Sequence, residues 1–313
     1  MKIAMIGSGA AGSVFAAYLK KGGTDMYLVD RYKMHMDKIA SEGLLFKELG
    51  QEYLLHGFHT AASAEEIGVM DAVILMVKCT QTDDIMPSVL PCIGPDTIVI
   101  SLQNGLCNQE VLSKYVEEER IILGFGKIGT ELPEPCVCVG KPEPGVSMYF
   151  GAVKNNPKVQ AMGVALEELF QAGGCNAAFV DDIQLYIWRK AISNCGYNTV
   201  CAVLGLPVGA VLRSQQGNEL VMGVWKECCD VAKALGIGDL WHEMEEERER
   251  LLEGFSDYYP SMAQDIIRHR QTEIMHMNGA IVSFGERLGI PTPLNHLLKC
   301  IVLTIQENFD LKK

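Results

Sequence analysis

Short, nearly unbroken apolar runs separated by helix-compatible stretches fill the first half of the chain. Residues 3–6, 26–29, 73–77, 98–100 and 121–125 are runs of this kind. Strands without polar alternation are buried on both faces, as in a parallel sheet covered by helices. Segments 13–20 and 109–116 have helical spacing and supply crossovers, so the pattern predicts βαβ units and a doubly wound sheet. Around residues 133–151 the texture changes. Prolines and a glycine in Lys141-Pro142-Glu143-Pro144-Gly145 separate two apolar stretches, 137–139 and 147–150. This predicts a hairpin added to one side of the sheet. A helix over 157–171 and a last strand over 177–180 follow.

Beyond Asp181 the strand signals fade. Residues 181–204, 217–235, 242–252, 261–288 and 294–308 all fit helices. Breaks fall at Gly205-Leu206-Pro207, Gly236-Ile237-Gly238 and Gly289-Ile290-Pro291. The expected fold is α/β: a parallel-sheet domain over residues 1–181, then an all-α domain over 182–313, with no internal repeat. The charged run 243–250 mixes signs at helical spacing and reads as a solvated helix face.

Composition narrows the partners. A chain of 313 residues is comfortable for two cores, and 48% hydrophobic with 21% charged residues is ordinary for a globular protein. The net charge of −12 offers no basic stripe, which argues against nucleic acid and anionic membranes and leaves a small molecule as the expected partner. No apolar run approaches the length of a membrane span, and Met1-Lys2 lead straight into the first strand, so neither a span nor a secretory leader is expected. The eleven cysteines, an odd number, sit mostly in apolar runs and read as free thiols in a reducing cytoplasm. One C-x-C pair, Cys136 and Cys138, is too little for zinc, so no metal is expected. As to assembly, a homodimer is compatible with this reading.

Chemistry enters at Gly7-Ser8-Gly9-Ala10-Ala11-Gly12, a G-x-G-x-x-G that follows a strand and opens a helix. Gly7 permits the tight turn, Gly9 lets the backbone approach a pyrophosphate, and Gly12 lets helix and sheet pack closely. The helix N-terminus offers N–H groups to phosphates. This predicts a dinucleotide-binding Rossmann domain for NAD or NADP. The second strand ends at Asp30, eighteen residues beyond Gly12 (30 − 12), where a carboxylate accepts hydrogen bonds from the adenosine ribose of NADH. Arg31 beside it suits the 2′-phosphate of NADPH. The two signals oppose each other, and the carboxylate favours NADH.

Three further segments stand out. Lys190, Asn194 and Asn198 recur at i, i+4 and i+8 in an otherwise apolar helix, a polar line that protein or ligand must satisfy. An ammonium on that line is placed for general-acid work. Ser261 begins S-x-x-Q, which by itself reads as a capping box. On the same expected helix comes Glu273, either a surface residue or an acid facing the lysine. Ser101-Leu102-Gln103-Asn104-Gly105 and Val77-Lys78-Cys79-Thr80-Gln81 both follow strands, at the edge where open α/β sheets take ligands.

With these residues together, the chain resembles the ketopantoate reductases (2-dehydropantoate 2-reductases) nearly end to end. The likeness lies in the glycine motif, V-K-x-x-Q, Q-N-G, W-R-K-x-x-x-N-x-x-x-N and S-M-x-Q-D-I…T-E-I. It implies that Lys190 protonates the substrate oxygen and that Glu273 orients substrate and lysine. Asn194, Asn198 and Ser261 would hold the substrate's oxygens. Asn104 would lie near the nicotinamide and the reacting carbonyl, with Lys78 and Gln81 on the cofactor side. The resemblance and Arg31 point to NADPH, against Asp30. Two positions depart from the family pattern: Tyr258 and Val208 stand where an asparagine is common. The expected activity is NAD(P)H-dependent reduction of a 2-keto acid, ketopantoate to pantoate. The alternatives are a reductase of another keto acid and a nucleotide-sensing binding protein without turnover. An intact Lys190/Glu273 pair argues against the sensor.

Overall fold

The computed structural model describes residues 1–254 and 257–311. The chain divides into two units, residues 1–103 with 108–183, and residues 104–107 with 184–313. The first is a Rossmann-type α/β unit. Its strands are β1 (Lys2–Ile6), β2 (Asp25–Val29), β3 (Leu44–Glu48), β4 (Gln51–Leu55), β5 (His59–Ala61), β6 (Ala72–Leu75), β7 (Ile98–Ser101), β8 (Ile121–Gly126), β9 (Ile128–Glu134), β10 (Val137–Pro142), β11 (Met148–Ala152) and β12 (Ala177–Phe179). Eight form one sheet in the order β12-β11-β8-β7-β6-β1-β2-β5. Every pairing in it is parallel except β8 with β11. The strands read as unbroken apolar runs, β6 and β7 being buried at all four positions. From β1 the chain first moves outward through β2 to β5, then returns to β6 on the other side of β1. That reversal opens the crevice in which doubly wound sheets bind ligands, beyond the strand C-termini.

A second sheet, in the order β4-β3-β10-β9, was not expected from the sequence. It corrects the hairpin read around residues 133–151. The stretches 137–139 and 147–150 do not pair with each other. β10 pairs antiparallel with β9 and parallel with β3, whereas β11 pairs with β8 in the main sheet. The Pro/Gly segment is therefore a link between sheets, and the hairpin turn falls near Cys136, a non-glycine residue at φ 61°. Short alternating strands such as β3, buried at every second residue, carry too weak a local signal to stand out between helices.

In the second unit every regular element among the described residues is a helix. Its core gathers Trp225, Val221, Cys228, Ile281 and Val302, none more than 1% exposed. Two expected helices are interrupted. The helix Ile183–Ser193 passes into a π-turn at Asn194–Asn198 before continuing as Thr199–Leu204. The expected helix 261–288 is two helices, Ser261–Ile267 and Asn278–Leu288, separated by an irregular stretch with a 3-10 turn at Ile274–His276. No proline or glycine marks that break. Tertiary partners hold it: Thr272 donates its N–H to Gln306 Oε1 at 2.7 Å, and the guanidinium of Arg270 meets Asp265 at 3.0 Å.

The cysteines carry free thiols, all but Cys107 and Cys300 buried. Burial pushes Cys138, Cys175 and Cys201 up to about 12, far from reactive thiolates. Among the described residues no cluster is built to hold a metal and no helix is long and apolar enough to cross a membrane.

Candidate functional site

In the first unit the glycine motif forms the turn from β1 into the helix Ala10–Lys21. Gly7 has φ +93°, and a Cβ there would lie 2.6 Å from Val77 N, so both conformation and space demand glycine. A Cβ on Gly12 would meet Gly7 O at 1.9 Å; its absence lets helix and turn touch. A Cβ on Gly9 would meet nothing within 4 Å, so the backbone there faces open space. The helix begins without a side-chain cap and without an acidic residue in its first turn. Its N–H groups and positive dipole end are therefore available to an anion. The Ser8 hydroxyl is buried with no protein partner. These features fit a dinucleotide pyrophosphate, with Gly7, Ser8, Gly9, Ala10, Ala11 and Gly12 around it.

Asp30, at the end of β2, turns its carboxylate onto this loop. Oδ2 accepts the Ser8 N–H at 2.8 Å and Oδ1 accepts the Tyr32 N–H at 2.8 Å. Each oxygen keeps a free lone pair, so two acceptor sites remain. Arg31 is exposed. Lys78 and Gln81 lie in the turn after β6, where the Gln81 N–H donates to Lys78 O. Gln103 stands in the Q-N-G motif, where the sequence reading gave it no role. Its buried amide donates to Val77 O at 2.7 Å and to Thr82 Oγ1 at 2.9 Å, tying the loop after β6 to the loop after β7.

In the helical unit, Asn104 and Glu273 come together across 169 positions of sequence: Asn104 Nδ2 donates to Glu273 Oε2 at 3.3 Å. Glu273 is half-buried and stands just before the 3-10 turn without a side-chain cap bond, so it is not the mid-helix residue the sequence suggested. The Leu106 N–H donates to His276 O, fixing the segment that carries Asn104 to that turn. Burial pulls the His276 imidazole down, and Glu273 opposes that shift.

Asn198 and Ser261 also meet, with Asn198 Nδ2 donating to Ser261 Oγ at 3.2 Å. Asn198 Oδ1 accepts the Met262 N–H at 3.0 Å. The capping box is thereby corrected: Ser261 is the first helical residue, makes no side-chain cap bond, and Asn198 satisfies an N-terminal N–H from outside. Asn194 is buried and accepts from the Tyr197 hydroxyl at 3.3 Å; Tyr197 was not singled out in sequence. Lys190 is half-buried, one helical turn before Asn194.

The π-turn at Asn194–Asn198 has a visible cause. Trp225 donates its indole N–H to Ser193 O at 3.1 Å, and Asn278 donates to Cys195 O at 3.0 Å. These side chains bind carbonyls inside a helix, a common origin of local unwinding. Gly196 makes room, since a Cβ there would lie 2.2 Å from Trp225 Nε1.

Comparison with known proteins finds two family models that match successive stretches of the chain. The model for ketopantoate reductase PanE/ApbA covers residues 3–155, and that for the ketopantoate reductase PanE/ApbA C terminal covers residues 182–306. The chain is 31% identical to a 2-dehydropantoate 2-reductase of Pyrococcus horikoshii, covering 96% of each chain. It is 28% identical to one of Streptococcus pyogenes, over 96% of this chain and 97% of the relative. A solved ternary structure of D-mandelate dehydrogenase with NADH and anilino(oxo)acetate superposes with a TM-score of 0.88 at 28% identity, over 99% of this chain and 100% of that one. With both family models matched in order and a relative above 30% identity spanning nearly the whole length, this chain belongs to the ketopantoate reductase family.

Proposed function

We propose that this protein reduces a 2-keto acid with NAD(P)H, and that ketopantoate, reduced to pantoate, is its substrate. The observation that carries the reading is the pairing of Asn104 with Glu273 and of Asn198 with Ser261 in the unit that holds Lys190. When bound, the nicotinamide supplies a hydride to the C2 carbonyl. The Lys190 ammonium polarises the carbonyl oxygen and gives it a proton as the new C–H bond forms. Negative charge grows on that oxygen toward the transition state, so a fixed ammonium stabilises it there more than in the ground state. Glu273 orients substrate and lysine, itself held by Asn104. Asn194, Asn198 and Ser261 bind the substrate's carboxylate and hydroxyl oxygens. Asp30 has two acceptor sites left for a ribose, which supports NADH used at least as well as NADPH.

A second reading, reduction of a different keto acid, draws on the two departures from the family pattern. Val208 donates its N–H to Tyr258 O at 3.1 Å, so both replaced asparagines fall at one place. Val208 is buried and Tyr258 exposed, a less polar pair than two asparagines. The structural relative named D-mandelate dehydrogenase holds an aryl-substituted oxoacetate derivative in its ternary structure. Steady-state kcat/KM for ketopantoate and for branched and aryl 2-keto acids, each with NADH and NADPH, tests the proposal. Ketopantoate should lead the panel. An aryl keto acid preferred tenfold or more would establish the second reading, and NADH binding without turnover of any keto acid would leave a binding protein.

A further inference from the structure

Behind the glycine-rich loop lies a buried chain of hydrogen bonds that the reaction itself does not use. It begins in the turn between β9 and β10, where the Cys136 N–H donates to His35 Nδ1 at 2.9 Å. A backbone N–H can only donate, so Nδ1 accepts and the imidazole proton sits on Nε2. Nε2 lies 3.0 Å from Ser13 Oγ, which in turn donates to Ser8 O at 2.8 Å. His35, Ser13 and Ser8 are each 0% exposed. Burial holds the imidazole below its ordinary pKa, against the pull of Asp30, which suits a neutral ring. The Tyr32 ring stacks on it at 5.9 Å.

We propose that His35 is a positioning residue for the dinucleotide, fixing through Ser13 the direction of the peptide that joins Ser8 to Gly9. The two sides of Ser8 are pinned separately, its N–H by Asp30 and its carbonyl by Ser13. In a trans peptide the C=O and the next N–H point in opposite directions. Holding Ser8 O toward the buried Ser13 therefore turns the Gly9 N–H the other way, toward the open side of the loop where Gly9 is exposed. A donor aimed there before binding spares the loop the cost of ordering when a pyrophosphate arrives. His35 keeps the Ser13 hydroxyl in that orientation by filling its acceptor side. Without the ring, the hydroxyl is free to rotate and the peptide to flip. The inference rests on the reading of this loop as the dinucleotide site.

The test is NADH affinity by calorimetry, with melting temperature and steady-state kinetics measured alongside. Ser13→Ala and His35→Leu should each raise the NADH Kd roughly five- to tenfold. The KM for NADH should follow, while kcat at saturating NADH and the KM for keto acid stay near wild type. His35→Gln can accept from Cys136 and donate to Ser13, and should recover the Kd to within about twofold of wild type. If both disruptive variants melt earlier but bind NADH as wild type does, the role is structural only and the proposal falls. Should His35→Leu fail to fold, Ser13→Ala decides, since alanine suits that helical position. Gly9→Val separates this inference from the reading beneath it, because its side chain would project into the open side of the loop, where an added Cβ meets no protein atom within 4 Å. Lost NADH binding in Gly9→Val with normal binding in Ser13→Ala overturns the role of His35 alone; unchanged binding in Gly9→Val overturns the loop reading and the proposal with it.

Discussion

Replacing Asp30 by alanine probes cofactor choice most directly. In the structure its carboxylate is turned onto the loop by two backbone N–H donors, each at 2.8 Å, with Arg31 exposed beside it. NADH brings a ribose with two hydroxyl donors to this place. NADPH brings a 2′-phosphate instead, and one unit-charge repulsion at about 4 Å in an effective dielectric of 20 is of order 4 kcal/mol. Asp30 is half-exposed, so counter-ions and movement of the phosphate leave about 1–2 kcal/mol, roughly tenfold in kcat/KM. Alanine also leaves the Ser8 N–H without its acceptor. That loosens the loop for both cofactors alike, so the ratio of kcat/KM values, not either value alone, reports the charge. Wild type should use NADH at least as well as NADPH, and Asp30→Ala should move the ratio toward NADPH by roughly tenfold. A wild-type preference for NADPH of tenfold or more, unchanged in the variant, would show that Arg31 sets the choice and refute the argument.

Lys190→Ala should fold and bind NADH yet lose about a hundred- to ten-thousand-fold in kcat, the range of general-acid catalysis, and near-normal turnover would remove the lysine from the chemistry. Ser261→Ala should lower kcat/KM with little change in melting temperature, because Asn198 supplies the cap to the Met262 N–H. Asn198→Ala should lose both kcat/KM and about 1 kcal/mol of stability measured by urea unfolding; equal melting behaviour in the two variants would contradict that division of labour. Gly196→Ala places a methyl against the Trp225 indole. It should cost about 1–3 kcal/mol and, by shifting the π-turn between Asn194 and Asn198, depress kcat as well; an unperturbed variant would show that the turn does not depend on this contact.

The sequence by itself determined the strands of the main sheet other than the three-residue edge strand β5, together with the glycine turn and the change to helices after Asp181. Each rests on a local physical demand. Strands buried on both faces are built from nearly unbroken apolar runs, as in β6 and the first three residues of β7, and only glycine tolerates the backbone of Gly7. The motif residues of the site could be named in sequence, but not their surroundings. The second sheet escaped notice because β3 and β4 are short, β4 is largely exposed, and the pairing of β3 with β10 that unites the sheet joins segments some ninety residues apart. Only tertiary structure decided that the expected helix 261–288 breaks, since Gln306 takes the Thr272 N–H from a distant helix. It alone made the π-turn, through Trp225 and Asn278, and gave the cap of Ser261–Ile267 to Asn198. His35 reads in sequence as any histidine on a polar helix. Its buried place between Cys136 and Ser13 arises because β10 folds back beside the first helix, a contact between residues 101 positions apart that no local pattern encodes.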